Sequence, residues 1–309
     1  MNKPLVAVVV GPTASGKTSL GIEIAKHFDG EVVSADSMQI YKNMDIATAK
    51  PTAEELSLVR HHLVGLLDPG EDFSVAKYKE LAVSAIDDIL SRGKLPVIVG
   101  GTGFYIDTLI NNTEFLDYEK SNIRSELEKR AENEGIEALY VELMKVDEQT
   151  AKRLHINDIK RIIRALEVYY STGQTISAQC ELSHINESKY RFCVIGLTAD
   201  DRQYIYDRIN LRVDLMLEAG LIEEAERFFE LNLGSTAKQA IGYKELKPYF
   251  DGHVSLSQAS EKLKMETRRY AKRQLTWFRR NESIHWLSID TMDKAELCNE
   301  ACRIINEER

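Results

Sequence analysis

A glycine-rich octapeptide near the start of the chain carries the residues best suited to bind phosphate. It reads Gly11-Pro12-Thr13-Ala14-Ser15-Gly16-Lys17-Thr18 and matches the pattern G-x-x-x-x-G-K-[ST]. In such a loop the backbone N–H groups converge on phosphate oxygens, and the positive end of the following helix dipole points at the same place. The Lys17 ammonium neutralises phosphate charge, and the Thr18 hydroxyl is a ligand for Mg²⁺. A chance glycine-rich turn is the alternative.

The elements around this loop are those that the motif requires. The apolar, β-branched run at 5–10 predicts a buried strand, and the apolar spacing at 17–28 predicts a helix. Further strands are predicted at 31–35, 95–99, 190–197 and 284–289, and further helices at 74–92, 201–219, 221–231 and 257–280. Strands that alternate with helices predict an α/β fold, with a mostly parallel sheet covered on both faces.

The middle of the chain has a different character. From 114 to 189 the sequence is charged and helical without strand signals, and Asn157 is predicted to be the N-cap of a helix that ends near Gly173. With 309 residues the chain also exceeds the ~100–200 residues of one typical domain. We therefore expect a helical insertion domain at 114–189, and a catalytic core formed by 1–113 and 190–309.

Two strand ends add candidate site residues. Asp36 follows the second strand, where open α/β sheets place their ligand crevice, although capping a turn is its alternative role. The strand at 95–99 ends in Gly100-Gly101-Thr102-Gly103 and lacks the aspartate of a Walker-B strand, which argues against a motor or switch ATPase. These glycines indicate either close backbone approach to a bound group or a tight turn.

Basic residues are clustered although the net charge is −9. One segment contains seven of them against the single acidic Glu266: Lys264, Arg268, Arg269, Lys272, Arg273, Arg279 and Arg280. A second cluster lies in the insertion: Lys152, Arg153, His155, Lys160, Arg161 and Arg164. Arg269, Arg273 and Trp277 recur at i, i+4, a spacing that suits sugar–phosphate contacts beside a stacked base. Two clusters in an acidic chain favour a nucleic-acid partner over a solvated helix face.

Six sequence blocks together resemble the tRNA dimethylallyltransferase family: GPTASGKT at 11–18, SADSMQIYKNMDIATAKP at 34–51, GGTGFY at 100–105, DIKRIIRALEVY at 158–169, KQAIGYKE at 238–245 and RRYAKRQLTWFRR at 268–280. The resemblance runs nearly from end to end. It implies a P-loop NTPase-like parallel sheet flanked by helices, with an inserted all-helical subdomain. It also implies transfer of a dimethylallyl group from dimethylallyl diphosphate to N6 of the adenosine immediately 3′ of the anticodon. The loop would then hold pyrophosphate, which accounts for the missing Walker-B aspartate.

The resemblance assigns roles to individual residues. The loop at 11–18 binds the diphosphate, with Lys17 and a Mg²⁺ ion on Thr18 where leaving-group charge develops. Asp36 is the candidate base for the adenine amino group. Thr13 and Arg212 complete the diphosphate clamp, with Arg208 as the alternative arginine. The residues expected to contact tRNA are Asp36, Ser37, Met38, Gln39, Thr102, Arg124, Lys160, Arg161, Ile162, Ile163, Arg164, Gln239, Ala240, Ile241, Gly242, Tyr243, Lys272, Arg273, Trp277 and Arg279.

Three other functions each explain part of the sequence. A small-molecule or nucleoside kinase with the insertion as its lid would explain the loop but not the basic clusters. A non-catalytic RNA-binding module would leave Lys17, Thr18 and Asp36 without a purpose. An adenylate isopentenyltransferase, which acts on free AMP, would not need an RNA-sized basic surface.

The expected partners follow from the favoured function. They are the tRNA anticodon stem-loop, dimethylallyl diphosphate and Mg²⁺. The longest apolar runs are far shorter than the ~20 residues that span a bilayer, and four cysteines form no disulfide framework. We therefore expect a cytoplasmic monomer with no membrane partner.

Overall fold

The computed structural model describes residues 3–115, 122–185 and 187–309. Its described strands form one sheet in the order β3-β2-β4-β1-β5-β6, and every strand pair is parallel. The strands are β1 Leu5–Val10, β2 Glu31–Ser34, β3 His61–His62, β4 Pro96–Gly100, β5 Arg191–Thr198 and β6 His285–Ser288. The predicted parallel α/β sheet is confirmed.

Fourteen α-helices accompany these strands in the described part of the chain. They are α1 Lys17–His27, α2 Ala53–Leu58, α3 Val75–Ser91, α4 Gly103–Ile110, α5 Ile123–Glu134, α6 Ile136–Val146, α7 Glu148–Arg153, α8 Ile159–Thr172, α9 Ile176–Ile185, α10 Arg202–Glu218, α11 Leu221–Glu230, α12 Lys247–Phe250, α13 Leu256–Phe278 and α14 Lys294–Glu307. None of these helices combines the length and the apolar sequence needed to cross a membrane.

The core of the sheet forms because its central strands are apolar on both faces. Five consecutive residues of β1, from Val6 to Val10, are fully buried. Leu20 and Ile24 of α1, Ile209 of α10 and Ile305 of α14 belong to the same apolar cluster as alternate residues of β1. A parallel sheet is covered on both faces, because successive side chains along each strand point to opposite faces and both sets must be removed from water.

Most element ends lie within one or two residues of the predicted ones, with a few informative differences. Asn157 is not the N-cap predicted for α8: Asp158 takes that position, and the helix ends at Gly173, whose φ of 71° is left-handed. The short helix α2 was not predicted, although a capping box formed by Thr52 and Glu55 marks its start. The strand β3 was also missed, because two residues are too few to show a periodicity.

The chain divides into two compact units, Met1–Ile106 with Lys189–Arg309, and Asp107–Ser188. The second unit overlaps the predicted insertion at 114–189, and all the regular elements of its described residues are helices. It has an apolar core of its own, formed by Leu127, Leu139, Leu143, Ala151, Ile162, Ile163, Ala165 and Leu166. We call it the helical unit, and the first unit the sheet unit.

Candidate active site

The phosphate loop connects β1 to α1 in the sheet unit. Gly16 is the N-cap of α1 in a left-handed conformation, with φ of 92°, and Ala14 also has a positive φ of 64°. No described side chain caps this helix start. The first backbone N–H groups of α1 therefore have no capping side chain as acceptor. Such groups at the start of a helix bind anions.

Lys17 lies inside the cleft above the loop. Its Nζ donates a hydrogen bond to the Pro12 carbonyl at 2.6 Å. Burial, reinforced by the nearby Arg212, lowers the pKa of Lys17 to about 7, while the carboxylate of Asp36 acts in the opposite direction. A bound anion would favour the charged ammonium, so anion binding and protonation of Lys17 are linked.

Both candidate arginines of α10 contact the phosphate loop, but at different places. Arg212 lines the cleft, and its Nη1 donates to the Thr13 hydroxyl at 3.3 Å. Arg208 is exposed, and its Nε donates to the Ala14 carbonyl at 2.7 Å. Burial, together with Arg208, lowers the pKa of Arg212. Arg212 therefore presents its guanidinium towards the cleft, while Arg208 braces the loop backbone.

Asp36 lies in the cleft just after β2. Its Oδ1 accepts hydrogen bonds from the backbone N–H groups of Met38 at 2.9 Å and Gln39 at 3.3 Å. The turn-capping role considered from sequence is thus present. Burial raises the pKa of Asp36, against the opposing effects of these hydrogen bonds and of Lys17 and Arg212. The side chain is therefore held in place and made more basic than a solvated carboxylate.

Gln274 of α13 joins the phosphate loop to the loop after β4, and sequence reasoning did not identify it. Its Oε1 accepts from the Thr13 backbone N–H at 2.8 Å, and its Nε2 donates to the Gly101 carbonyl at 2.9 Å. A Cβ at Gly101 would lie only 2.1 Å from Nε2, so a glycine is required there. The close approach predicted at Gly101 is thus made by the protein's own Gln274. The only signal in the sequence was an uncharged polar residue within a basic helix.

Two neighbouring residues complete this part of the cleft. Thr102 accepts a hydrogen bond through its hydroxyl from the Ser37 backbone N–H at 3.2 Å, which ties the loop after β4 to the turn at Asp36. Tyr270 of α13 lines the cleft, and burial raises the pKa of its hydroxyl, with Asp36 contributing in the same direction. Tyr270 is a further residue that sequence reasoning missed.

A second group of cleft residues, which we call the side wall, consists of Ala47, Thr48, Ala49, Gln239, Ile241 and Gly242. Gln39 supports it by donating through Nε2 to the carbonyls of Thr48 at 3.3 Å and Ala49 at 3.1 Å. Val213, Met216 and Leu263 add apolar surface to the same cleft. The cleft thus combines cationic and apolar linings, which suits a ligand with an anionic head and an apolar body.

The residues predicted to bind tRNA differ in how far they are exposed. Asp36, Ser37, Met38, Gln39, Gln239, Ile241 and Gly242 line the cleft, and Arg124, Lys160, Arg161, Arg164, Lys272, Arg273 and Arg279 are exposed. The side chains of Ile162, Ile163, Ala240 and Tyr243 are buried, with at most 3% of their surface accessible. Ile162 and Ile163 belong to the apolar core of the helical unit, and contact of these four positions with tRNA stays a prediction.

Trp277 also has a packing partner in the sheet unit. A Cβ added at Gly103 would lie 2.2 Å from Cδ1 of Trp277, and the Phe104 ring is 6.4 Å away in an edge-on arrangement. The guanidinium of Arg280 lies 5.2 Å from the indole ring. Arg269 and Arg273 are exposed on the same helix, whereas Trp277 is half-buried. The indole therefore lies against the first turn of α4.

A family model described as IPP transferase matches residues 39–281. This match begins after the phosphate loop, so it does not depend on the motif at 11–18. A tRNA dimethylallyltransferase from Acetivibrio thermocellus is 51% identical over 294 residues and covers 94% of each chain. One from Bacillus anthracis is 46% identical over 296 residues, covering 95% of this chain and 94% of its own.

Two solved structures are similar over almost the whole chain. The full-length tRNA isopentenylpyrophosphate transferase from Bacillus halodurans has a TM-score of 0.74 at 42% identity, and covers 99% of this chain and 97% of that one. A eukaryotic dimethylallyltransferase described as acting on tRNA has a TM-score of 0.84 at 30% identity, and covers 99% of this chain and 79% of that one. The chain therefore has the fold of these solved enzymes.

Proposed function

The chain belongs to the IPP transferase family of tRNA dimethylallyltransferases, and from this premise we propose how its cleft transfers the dimethylallyl group. The acceptor is N6 of the adenosine immediately 3′ of the anticodon, and diphosphate is released. The observation that carries the proposal is the single cleft that holds Lys17, Arg212 and Asp36 beside the apolar residues Val213 and Met216.

The phosphate loop holds the diphosphate leaving group. When the bond between the allylic carbon and oxygen breaks, its electron pair remains on the diphosphate, and negative charge grows on the bridging oxygen. Lys17, Arg212 and the N–H groups at the start of α1 are positive groups suited to stabilise that charge. Thr13 contributes by holding the Arg212 guanidinium through its hydroxyl.

Asp36 accepts the proton that the adenine amino group loses. A new bond forms between N6 and the allylic carbon as the carbon–oxygen bond breaks, and the nitrogen then carries an extra proton. The raised pKa of Asp36 supports this role, because a more basic carboxylate takes up a proton more readily. The hydrogen bonds from Met38 and Gln39 leave the carboxylate in a fixed orientation.

The residues present fit a magnesium ion that arrives with the substrate. In the described part of the chain, no cluster of three or more His, Cys, Asp or Glu side chains could hold a metal by itself. Mg²⁺ commonly takes one or two protein oxygens and completes its shell with water and phosphate oxygens. The Thr18 hydroxyl, which lines the cleft, would be such a ligand. The ion would neutralise diphosphate charge.

The exposed basic residues are proposed to position the RNA. They are Arg124, Lys160, Arg161 and Arg164 in the helical unit, and Lys272, Arg273 and Arg279 in or beside α13. Contacts of this kind fix the register of the RNA backbone but do not read bases. They also help to offset the few kcal/mol needed to extrude the target base from its loop. The part of tRNA bound is the anticodon stem-loop.

One experiment separates this function from the kinase alternative, which the family relationship does not favour. The protein is incubated with bulk tRNA and either dimethylallyl diphosphate labelled in its prenyl group or ATP labelled in its γ-phosphate. We expect prenyl label in adenosine after digestion of the tRNA, and no transfer from ATP. Phosphorylation of an added nucleoside, without prenylated tRNA, would establish a kinase instead.

A further inference from the structure

A buried carboxylate on α11 has an unusual set of partners. Oε2 of Glu224 accepts hydrogen bonds from the backbone N–H groups of Asp45 at 2.9 Å and Ile46 at 2.8 Å. Oε1 accepts from the Ala47 backbone N–H at 2.9 Å and from the Tyr243 hydroxyl at 2.9 Å. Only 4% of Glu224 is accessible to solvent. One side chain therefore satisfies three consecutive backbone donors and a buried hydroxyl.

These four donors belong to the two segments that form the side wall. Asp45 and Ile46 directly precede the wall residues Ala47, Thr48 and Ala49. Tyr243 follows the wall residues Ile241 and Gly242, and its ring is stacked on Phe228 of α11 at 3.8 Å. Glu224 itself does not line the cleft. It is the point at which the two segments of the side wall are joined.

We propose that Glu224 is a positioning residue that holds the side wall in the shape required by the prenyl group and the adenine, a role that rests on the proposed function. The phosphate loop has separate supports, since Arg208, Arg212 and Gln274 hold its backbone and its Thr13 hydroxyl. Loss of the Glu224 contacts should therefore disturb the side wall and leave diphosphate binding intact.

The chemistry of the four contacts makes glutamine a sharp probe. Every partner of Glu224 is a donor, and a carboxylate offers two accepting oxygens. In Glu224→Gln one oxygen becomes an NH₂ group that cannot accept, so it faces either two backbone N–H groups or one N–H group and the Tyr243 hydroxyl. The substitution keeps the size of the side chain but disrupts up to two of its four hydrogen bonds. Glu226→Gln is the matched control, because Glu226 is exposed on the same helix.

The test measures transfer to tRNA and inhibition by pyrophosphate for the parent and both variants. Glu224→Gln should lower kcat/KM for dimethylallyl diphosphate by about 100-fold, the order that a displacement of ~1 Å costs. Its pyrophosphate inhibition constant should stay within about twofold of the parent value, because the phosphate loop is held separately. Glu226→Gln should match the parent in both measurements. Tyr243→Phe, which removes one of the four hydrogen bonds, should lower kcat/KM by about three- to tenfold.

The outcomes distinguish the possible failures. Transfer by Glu224→Gln within about twofold of the parent, or an equal loss of pyrophosphate binding and transfer, would overturn the positioning role. A role in stability alone would lower the melting temperature while the folded enzyme keeps the parent's kcat and KM. If Glu224→Gln does not fold, Tyr243→Phe decides, and parent-like kinetics of that variant would overturn the inference. A parent protein that transfers no prenyl group would instead refute the proposed function, and this inference with it.

Discussion

Lys17 makes diphosphate binding depend on pH in a direction that its surroundings determine. Its pKa of about 7, lowered mainly by burial and next by Arg212, means that the free protein loses this charge as the pH rises through neutrality. The affinity for pyrophosphate should therefore be highest below pH 7 and fall by up to about tenfold per pH unit above it. Calorimetric titration of pyrophosphate from about pH 6 to about pH 9 measures this, with proton uptake obtained by varying the buffer.

The ligand cannot produce the same trend. Pyrophosphate gains negative charge as the pH rises, so its own ionisation would strengthen binding. Lys17→Arg is the control, since a guanidinium keeps its charge over this range. The affinity of Lys17→Arg for pyrophosphate should therefore not fall as the pH rises. An affinity of the parent that stays constant between neutral and alkaline pH would contradict the linkage.

Asp36 has two roles that one pair of substitutions separates. Asp36→Asn keeps an oxygen that can accept from Met38 and Gln39 but cannot take up a proton. We expect turnover to fall by roughly 10²–10⁴-fold, the usual contribution of a general base, while pyrophosphate binding changes little. Asp36→Ala should in addition lose the turn. Single-turnover prenylation measures both variants, and a rate for Asp36→Asn within a factor of a few of the parent would leave only the capping role.

Among the individual site residues, those of the phosphate-loop motif could be predicted, because their chemistry and their spacing coincide. Gly16, Lys17 and Thr18 are adjacent in sequence and act together, so the pattern alone identifies them. Gln274 and Glu224 could not be predicted in this way. Each acts on backbone groups that are far away in the chain, and nothing in the local sequence indicates which loop they meet.

Among the elements, the helix α13 has one exposed basic face and one buried face that contacts the phosphate loop. Arg273 is exposed, whereas the next residue, Gln274, is buried against the phosphate loop. Arg273→Ala should weaken binding of the anticodon stem-loop and lower the slope of log K against log salt by about 0.7–0.9, the value for one lost phosphate contact. Pyrophosphate affinity should stay the same. Binding titrations at several salt concentrations measure the slope.

A second arginine provides the comparison for α13. Arg303 is exposed on α14 and forms ion pairs with Glu300 and Glu307. Arg303→Ala removes the same formal charge from the protein without removing a proposed RNA contact, so the salt slope should not change. Equal effects of the two substitutions would mean that α13 contributes only to net charge and has no direct phosphate contact.

For the molecule as a whole, the division into a sheet unit and a helical unit predicts that their functions can be separated. Leu166 is fully buried in the core of the helical unit. Leu166→Ala should destabilise that unit by about 2–5 kcal/mol and weaken tRNA binding, since the unit carries Lys160, Arg161 and Arg164. Pyrophosphate binding by the sheet unit should be unaffected. Thermal unfolding followed by circular dichroism and titrations with both ligands measure these effects.

Val141 offers a matched control for Leu166. It is an apolar residue of α6 in the same unit, but 52% of it is exposed. Val141→Ala should change neither unfolding nor tRNA binding appreciably, because little apolar surface is lost from water. A pyrophosphate affinity that falls in parallel with tRNA affinity in Leu166→Ala would show that the two units do not act separately.

The parallel sheet could be predicted from the sequence, whereas the strand order and the residues that approach the glycines after β4 could not. Alternating strands and helices indicate a parallel sheet, since a strand buried on both faces reads as a continuous apolar run, as β1 does. The strand order depends on which crossovers pass over β1, and no local pattern encodes it. The glycines after β4 indicated a close approach, but only the folded chain shows that Gln274 and Trp277 are what approaches.

The contact between Gly103 and Trp277 restricts how this protein can diverge. The two residues lie far apart in the chain, yet any side chain at position 103 would overlap the indole. Replacing the glycine first costs about 1–3 kcal/mol of overpacking, a sizeable part of the ~5–15 kcal/mol that stabilises a typical domain. Replacing the tryptophan first leaves a cavity. Descendants of this sequence should therefore keep both residues or exchange them together, so that substitutions at the two positions are correlated among relatives.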